Sequence, residues 1–289
     1  MSDIIVEVVG GLGNQLFQYA FYKNLKLKEK MHNVYLYTGR FNEIRDNKGF
    51  QIENYFKNAD IERYENEINH LIDGNNFGSK LKVKIFGGKS TFYKEDNTTF
   101  NDIKIIDNKD LYIRGLWQSE KYFIDSVEDV RKDLSFSREI VVNNVFQWDI
   151  NTKYVSLHVR RGDYISNPKY KELLGEVCDV SYYEKAISCM QSLSGSPLCF
   201  MIFSDDQTWV KENLSILKSV NTVYYEGERD IDDLYMMSKC DYHIIANSTF
   251  SWWGAYLNAS PQKIVIGPQK WYNVKSNILP ILPDTWIAI

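Results

Sequence analysis

The sequence predicts an α/β protein of two lobes, each built on a parallel, doubly wound sheet. Short apolar strands alternate with helical stretches at βαβ spacing, most regularly from Tyr154 onward. Four predicted strands run directly into glycine-rich or polar clusters, the pattern of an open sheet that holds a ligand at its carboxyl edge. A length of 289 residues exceeds one ordinary domain and suits two.

The first strand is the apolar run Ile4–Val9. It ends at Gly10-Gly11-Leu12-Gly13, and a helix follows over residues 14–30, with Asn14 as its cap and Leu16, Phe17, Tyr19, Ala20, Phe21 and Leu27 as its apolar surface. Val34–Tyr37 reads as the next strand. Between Gly39 and Asp110 the pattern is polar, Asn-rich and broken by Gly74, Gly78 and Gly87-Gly88, so short helices and loops are expected. Leu111–Gly115 reads as a strand and Asp125–Leu134 as a helix. The regular half then alternates strands at 154–159, 198–203, 222–225, 242–246 and 263–266 with helices at 182–191, 208–214, 231–239 and 249–257. The boundary is placed at 148/149, giving lobes 1–148 and 149–289.

Composition narrows the function. A hydrophobic fraction of 44% excludes a disordered chain, and a net charge of −4 lacks the basic footprint of a nucleic-acid binder. Four dispersed cysteines with only four histidines make no zinc-ligand spacing. Scattered thiols, an acidic N-terminus and the lack of a long apolar run lead us to expect a cytoplasmic chain without signal peptide or membrane span. Lysines at 23–30 and 80–94 could touch an anionic membrane surface, although solvated faces are the favoured reading. Asn-x-Ser/Thr matches at Asn97, Asn213, Asn247 and Asn258 are taken as incidental.

Each strand-end cluster has its own chemistry. In His158-Val159-Arg160-Arg161-Gly162-Asp163-Tyr164, two guanidinium groups suit a diphosphate, and Asp163 places a carboxylate beside them. Gly10, Gly11, Gly13, Asn14 and Gln15 form a loop that could approach a sugar or phosphate closely. It lacks the third glycine and the later acidic residue of a dinucleotide loop, and the Lys-Ser/Thr of a P-loop. Asp205 and Asp206 could accept hydrogen bonds from a base or ribose, or cap the next helix. Asn247, Ser248, Thr249 and Ser251 precede a helix whose free N–H groups make an anion site. Asp230-Ile231-Asp232-Asp233 carries a DxD pattern, read as helix capping rather than a metal site.

Together, GGLGNQLFQYAF at 10–21, GLWQSEKYF at 115–123, HVRRGDY at 158–164, SDD at 204–206 and NSTFSWWGAYL at 247–257 resemble the α-1,2-fucosyltransferases of glycosyltransferase family 11. The resemblance implies a GT-B-like enzyme whose two Rossmann-like lobes face a central cleft, an acceptor-side lobe first and a GDP-sugar-binding lobe second, the last residues packing back on the first. It implies GDP-fucose as donor, a galactoside as acceptor, inversion, and no cofactor or obligatory metal. A bacterial enzyme of polysaccharide synthesis follows, cytoplasmic or peripheral at the inner membrane. The more distant α-1,6- and protein O-fucosyltransferases share a His-x-Arg segment. By that likeness Arg160 would bind the β-phosphate, His158 and Asp205 or Asp206 the guanine, and Ser248, Thr249 and Ser251 would assist at the phosphates. Arg160 and Arg161 would stabilise the leaving group. Asp163 is either the base or the residue that holds the arginines, which leaves the base unassigned. A different GDP-sugar or acceptor, and a catalytically silent nucleotide-sugar or glycan binder, are the competing readings.

Overall fold

The computed structural model describes residues 1–42, 48–68, 71, 92–96, 100, 103, 105, 109–143, 145–273 and 280–289. The lysines at 80–84 and 89, the Asn97 site and the glycines at 74, 78, 87 and 88 lie outside them. The described chain falls into two compact units, Met1–Ser135 with Asn277–Pro280 and Phe136–Ser276 with Ile281–Ile289. The division therefore comes at 135/136 instead of 148/149. Phe136 packs edge-on against Tyr235 at 5.2 Å, and the Arg138–Asn143 helix lies on the Asp230–Lys239 helix, which draws this segment into the second unit.

In the first unit, strands β1 (Ser2–Glu7), β2 (His32–Tyr37), β3 (Phe92–Lys94) and β4 (Leu111–Arg114) form an all-parallel sheet in the order β2-β1-β4-β3. Strand β3 escapes the sequence pattern because it is three residues long within a polar stretch. The helix after β1 spans Leu12–Lys28, not 14–30. Gly10 sits at φ +84°, which reverses the chain early; Gly11 becomes the N-cap, and its carbonyl accepts from the N–H groups of Asn14 and Gln15.

That helix is buried on most sides and carries its polar residues inward. The Tyr19 hydroxyl donates to Asp133 at 2.6 Å, and Lys23 pairs with Asp133 at 2.8 Å and Asp60 at 3.3 Å. Lys26 pairs with Asp60 and Glu62, and Lys28 with Asp125. Three of the four lysines at 23–30 are thus paired with carboxylates within the unit. Among the described residues, no helix is long and apolar enough to cross a membrane.

The second unit holds β5 (Lys153–Val159), β6 (Leu198–Ser204), β7 (Asn221–Tyr224), β8 (Tyr242–Ile244), β9 (Val265–Gly267) and β10 (Ile287–Ala288). All pairs are parallel, in the order β10-β9-β8-β5-β6-β7. Val155, Leu157, Phe200 and Ile202 meet Tyr183, Ala186, Ile187 and Met190 of the Val180–Leu193 helix in the core. A buried polar thread crosses this core. Asn258 donates through Nδ2 to His243 Nε2 (2.9 Å), so His243 Nδ1 carries the proton toward Ser156 Oγ (2.8 Å), tying β8 to β5. From β5 the chain winds outward to β6 and β7, then returns to the other side of β5 as β8. The point where the order reverses lies between β5 and β8, and there an open parallel sheet leaves a crevice at its carboxyl edge.

Candidate active site

Three motifs of the second unit meet at that edge. Arg160 and Arg161 follow β5, Asp205 and Asp206 follow β6, and Asn247–Ser251 follow β8. Arg160 places Nη2 2.7 Å from Asp163 Oδ1 and Nη1 3.0 Å from Asp205 Oδ2, one carboxylate for each terminal nitrogen. Burial works against its charge, but Asp205 and Asp163 hold the guanidinium above its ordinary pKa. Asp205 is itself fastened, because its Oδ1 accepts the Arg161 backbone N–H at 2.8 Å. A Cβ on Gly162 would lie 2.6 Å from Asp205 Oδ2. The glycine is needed for this close approach rather than for a sharp turn, since Gly162 opens a short helix, Gly162–Ser166.

Arg161 faces the next helix instead. Its guanidinium lies 3.9 Å from the centre of the Trp209 ring, and Nε is 3.2 Å from Asp206 Oδ2. Asp206 also caps the Gln207–Asn213 helix, accepting from Trp209 N at 3.0 Å. Arg161 and Asp206 thus form a brace between two strand ends. Trp209, which the motif reading omitted, completes it; its place three residues after the SDD cluster was the available signal.

Asn247 is buried, and Nδ2 donates to the carbonyls of Leu174 and Trp271. Its own carbonyl accepts the Tyr164 hydroxyl at 3.1 Å. Ser251 is also buried and turns its hydroxyl to the Ser248 carbonyl. Both residues, predicted to touch the donor, build the turn that positions the helix Thr249–Tyr256. Ser248 is the N-cap of that helix, with an extended backbone, and its hydroxyl makes no cap bond to the first turn. His158, near the end of β5, is 6% exposed, and its Nδ1 has no hydrogen-bond partner among the described residues. Burial, reinforced by the charge of Arg160, pushes the imidazole down to about 3, so it is neutral at pH 7. Its ring lies 6.1 Å from that of Phe250. A neutral imidazole beside a guanidinium and a helix N-terminus suits a polar heterocycle joined to an anion.

The glycine loop of the first unit is knitted by glutamines. Gln15 is fully buried; its Nε2 donates to the carbonyls of Gly10 and Gly49 (2.9 Å each), and its Oε1 accepts Gln51 N at 2.8 Å. Gln15, expected at the sugar, is therefore a clamp inside the loop. Gln18 repeats the device between Val9 and Gly115. Asn14 accepts from Gln118 Nε2 at 2.9 Å, joining the GLWQ loop after β4 to the loop after β1. Glu95, unnoticed in the sequence, receives the N–H groups of Leu116 and Trp117 and so holds Trp117 at φ +55°. Gly11 has open space around its Cβ position, whereas Gly13 lies buried in the first helical turn. The DxD residues act as read: Asp232 accepts the Arg229 backbone N–H at 3.0 Å, and Asp233 accepts Gly227 N. Among the described residues, no cluster of acidic, His or Cys side chains could hold a metal ion.

Comparison with known proteins gives these geometries a family. The model of glycosyl transferase family 11 matches residues 79–280. The O-antigen biosynthesis glycosyltransferase WbnK of Escherichia coli is 32% identical, over 97% of this chain and 98% of its own. An alpha-1,2-colitosyltransferase of Escherichia coli is 30% identical, over 100% and 99% respectively. Among solved structures, the fucosyltransferase NodZ from Bradyrhizobium superposes with a TM-score of 0.51 at 11% identity, over 88% of this chain and 91% of that one. The chain belongs to glycosyltransferase family 11, and its two parallel-sheet α/β units have the GT-B type of fold. It is a glycosyltransferase.

Proposed function

We propose that the chain transfers L-fucose from GDP-β-L-fucose, with inversion, to the 2-hydroxyl of a terminal galactoside, without a required metal. The observation that carries this reading is the meeting of Arg160, His158 and the start of the Thr249–Tyr256 helix at the β5/β8 reversal point. Neutral His158 takes an edge of the guanine. Arg160 and the positive N-terminal end of the Thr249–Tyr256 helix take the diphosphate. Negative charge grows on that leaving group as the anomeric C–O bond breaks, and these fixed donors stabilise it where water is excluded. The sugar passes through an oxocarbenium-like state, and the acceptor hydroxyl attacks the opposite face while one carboxylate takes its proton. Arg161 and Asp206 brace the loop rather than touch the reacting atoms.

A second reading keeps the α-1,2 linkage and changes the sugar, and the full-length likeness to an alpha-1,2-colitosyltransferase favours it. One experiment separates the two. The protein is incubated with GDP-fucose, and in parallel with GDP-colitose, together with lactose or β-1,3-linked galactosides, with and without EDTA. An α-1,2-fucosylated product insensitive to EDTA supports the first reading. Turnover of GDP-colitose alone replaces it with the second, and GDP binding without transfer or donor hydrolysis would leave a silent binder.

A further inference from the structure

The arginines of the second unit are outnumbered. Arg160 and Arg161 share their surroundings with Asp163, Asp205 and Asp206, two positive groups against three negative ones. A diphosphate entering this cluster meets a net negative charge unless one carboxylate gives up its place. The three are not equally held. Asp205 has a backbone N–H as well as Arg160, and Asp206 has Arg161 together with the N–H of Trp209. The Asp163 carboxylate has one bond among the described residues, to Arg160 Nη2, and its side chain is 42% exposed at the start of a five-residue helix.

We propose that Asp163 is a placeholder for the donor: its carboxylate occupies Arg160 in the free enzyme and is displaced toward solvent by the diphosphate. This rests on the donor reading above and adds an order of events to it. With the donor absent, Asp163 fills one terminal nitrogen of Arg160. With the donor bound, Arg160 turns its Nη2 to a phosphate oxygen, and Asp163 swings into the solvent that it already faces. Donor entry and release of Asp163 are thus coupled through one ion pair.

The test is calorimetric titration of GDP into the wild-type protein, Asp163→Asn and Asp163→Ala. Loss of a competing, partly exposed carboxylate should tighten GDP by about two- to five-fold in both variants. A residue that merely shapes the loop would weaken GDP instead. GDP binding that is unchanged or weaker in either variant, at a wild-type melting temperature, overturns the displacement. If the wild-type protein does not bind GDP, the donor reading itself falls and takes this proposal with it. Tightening in one folded variant is sufficient support should the other fail to fold.

Discussion

Replacing Gly162 with alanine adds one methyl group, and two effects compete over it. Gly162 is the first residue of a helix and has an ordinary backbone angle, so alanine should stabilise by up to about 1 kcal/mol on helix propensity alone. The new Cβ, however, would lie 2.6 Å from Asp205 Oδ2 and 3.3 Å from its Cγ. Asp205 cannot yield without loosening its bonds to Arg161 N at 2.8 Å and Arg160 Nη1 at 3.0 Å. Hydrogen bonds to charged groups contribute about 1.5–3 kcal/mol each. The Asp205 side chain is 27% exposed, so water recovers part of that. Losing roughly half of both bonds costs about 1.5–3 kcal/mol, which exceeds the propensity gain by about 0.5–2 kcal/mol. The melting temperature should fall by about 1–8 °C, followed by circular dichroism, and GDP affinity should fall with it because Arg160 loses its fixed partner. Gly11→Ala is the control for a methyl added without a clash, since nothing lies within 4 Å of its Cβ position; because Gly11 is an N-cap, its stability should fall by no more than about 1 kcal/mol, with GDP affinity unchanged. A Gly162→Ala protein as stable as wild type, or more so, would show that Asp205 is not held as described.

Two further predictions concern pH and are coupled. Burial, ahead of the charges of Arg160 and Lys263 respectively, depresses His158 and His243 from about 6.5 to about 3, so the unfolded chain binds two protons that the folded chain refuses. Each histidine's contribution is complete above pH 6.5 and is lost as pH falls toward 3, at about 1.4 kcal/mol per pH unit. Asp233 acts oppositely: burial, with Asp230, Asp232 and Glu226 nearby, raises it from 3.8 to about 6, so the folded chain keeps a proton that the unfolded chain has lost. Between pH 4 and 6 it cancels one histidine, leaving a net slope of about 1.4 kcal/mol per unit in urea titrations; stability independent of pH across this window would contradict the assignments. Asp233→Asn keeps an oxygen for Gly227 N, so it should raise stability at pH 8 by about 1–3 kcal/mol, leave it unchanged at pH 4 and double the slope between. A variant no more stable than wild type at pH 8 would mean that Asp233 is not strained by its burial.

Much of the architecture is legible in short-range pattern. Strand and helix alternation over 154–266 predicts every strand of the second sheet except β10, whose two residues carry no periodicity. The glycine loop, the HVRRGDY segment, the SDD cluster and the NSTFSWW turn announce themselves because each is contiguous and follows an apolar run. In the first unit the polar stretch after Gly39 hides β3 and Glu95, since a three-residue strand has too few alternations to register.

What each polar side chain does in the site is another matter. The sequence by itself determined the parallel α/β class, the strand ends at which chemistry gathers, and the residue types suited to a diphosphate. Only the tertiary structure decided that β8 returns beside β5, and so which three clusters converge. It also decided which predicted contacts are spent inside the protein. Gln15 bonds to Gly49 and Gln51, Asn247 to Leu174 and Trp271, and Asp205 to Arg161, partners separated by 24 to 73 residues. A buried amide or carboxylate must be satisfied wherever the folded chain offers a partner, and such partners leave no local spacing to read. Asp163 reverses the case. Its partner Arg160 is three residues away and visible in the sequence, yet only the two firmly tethered carboxylates around it mark Asp163 as the one free to leave.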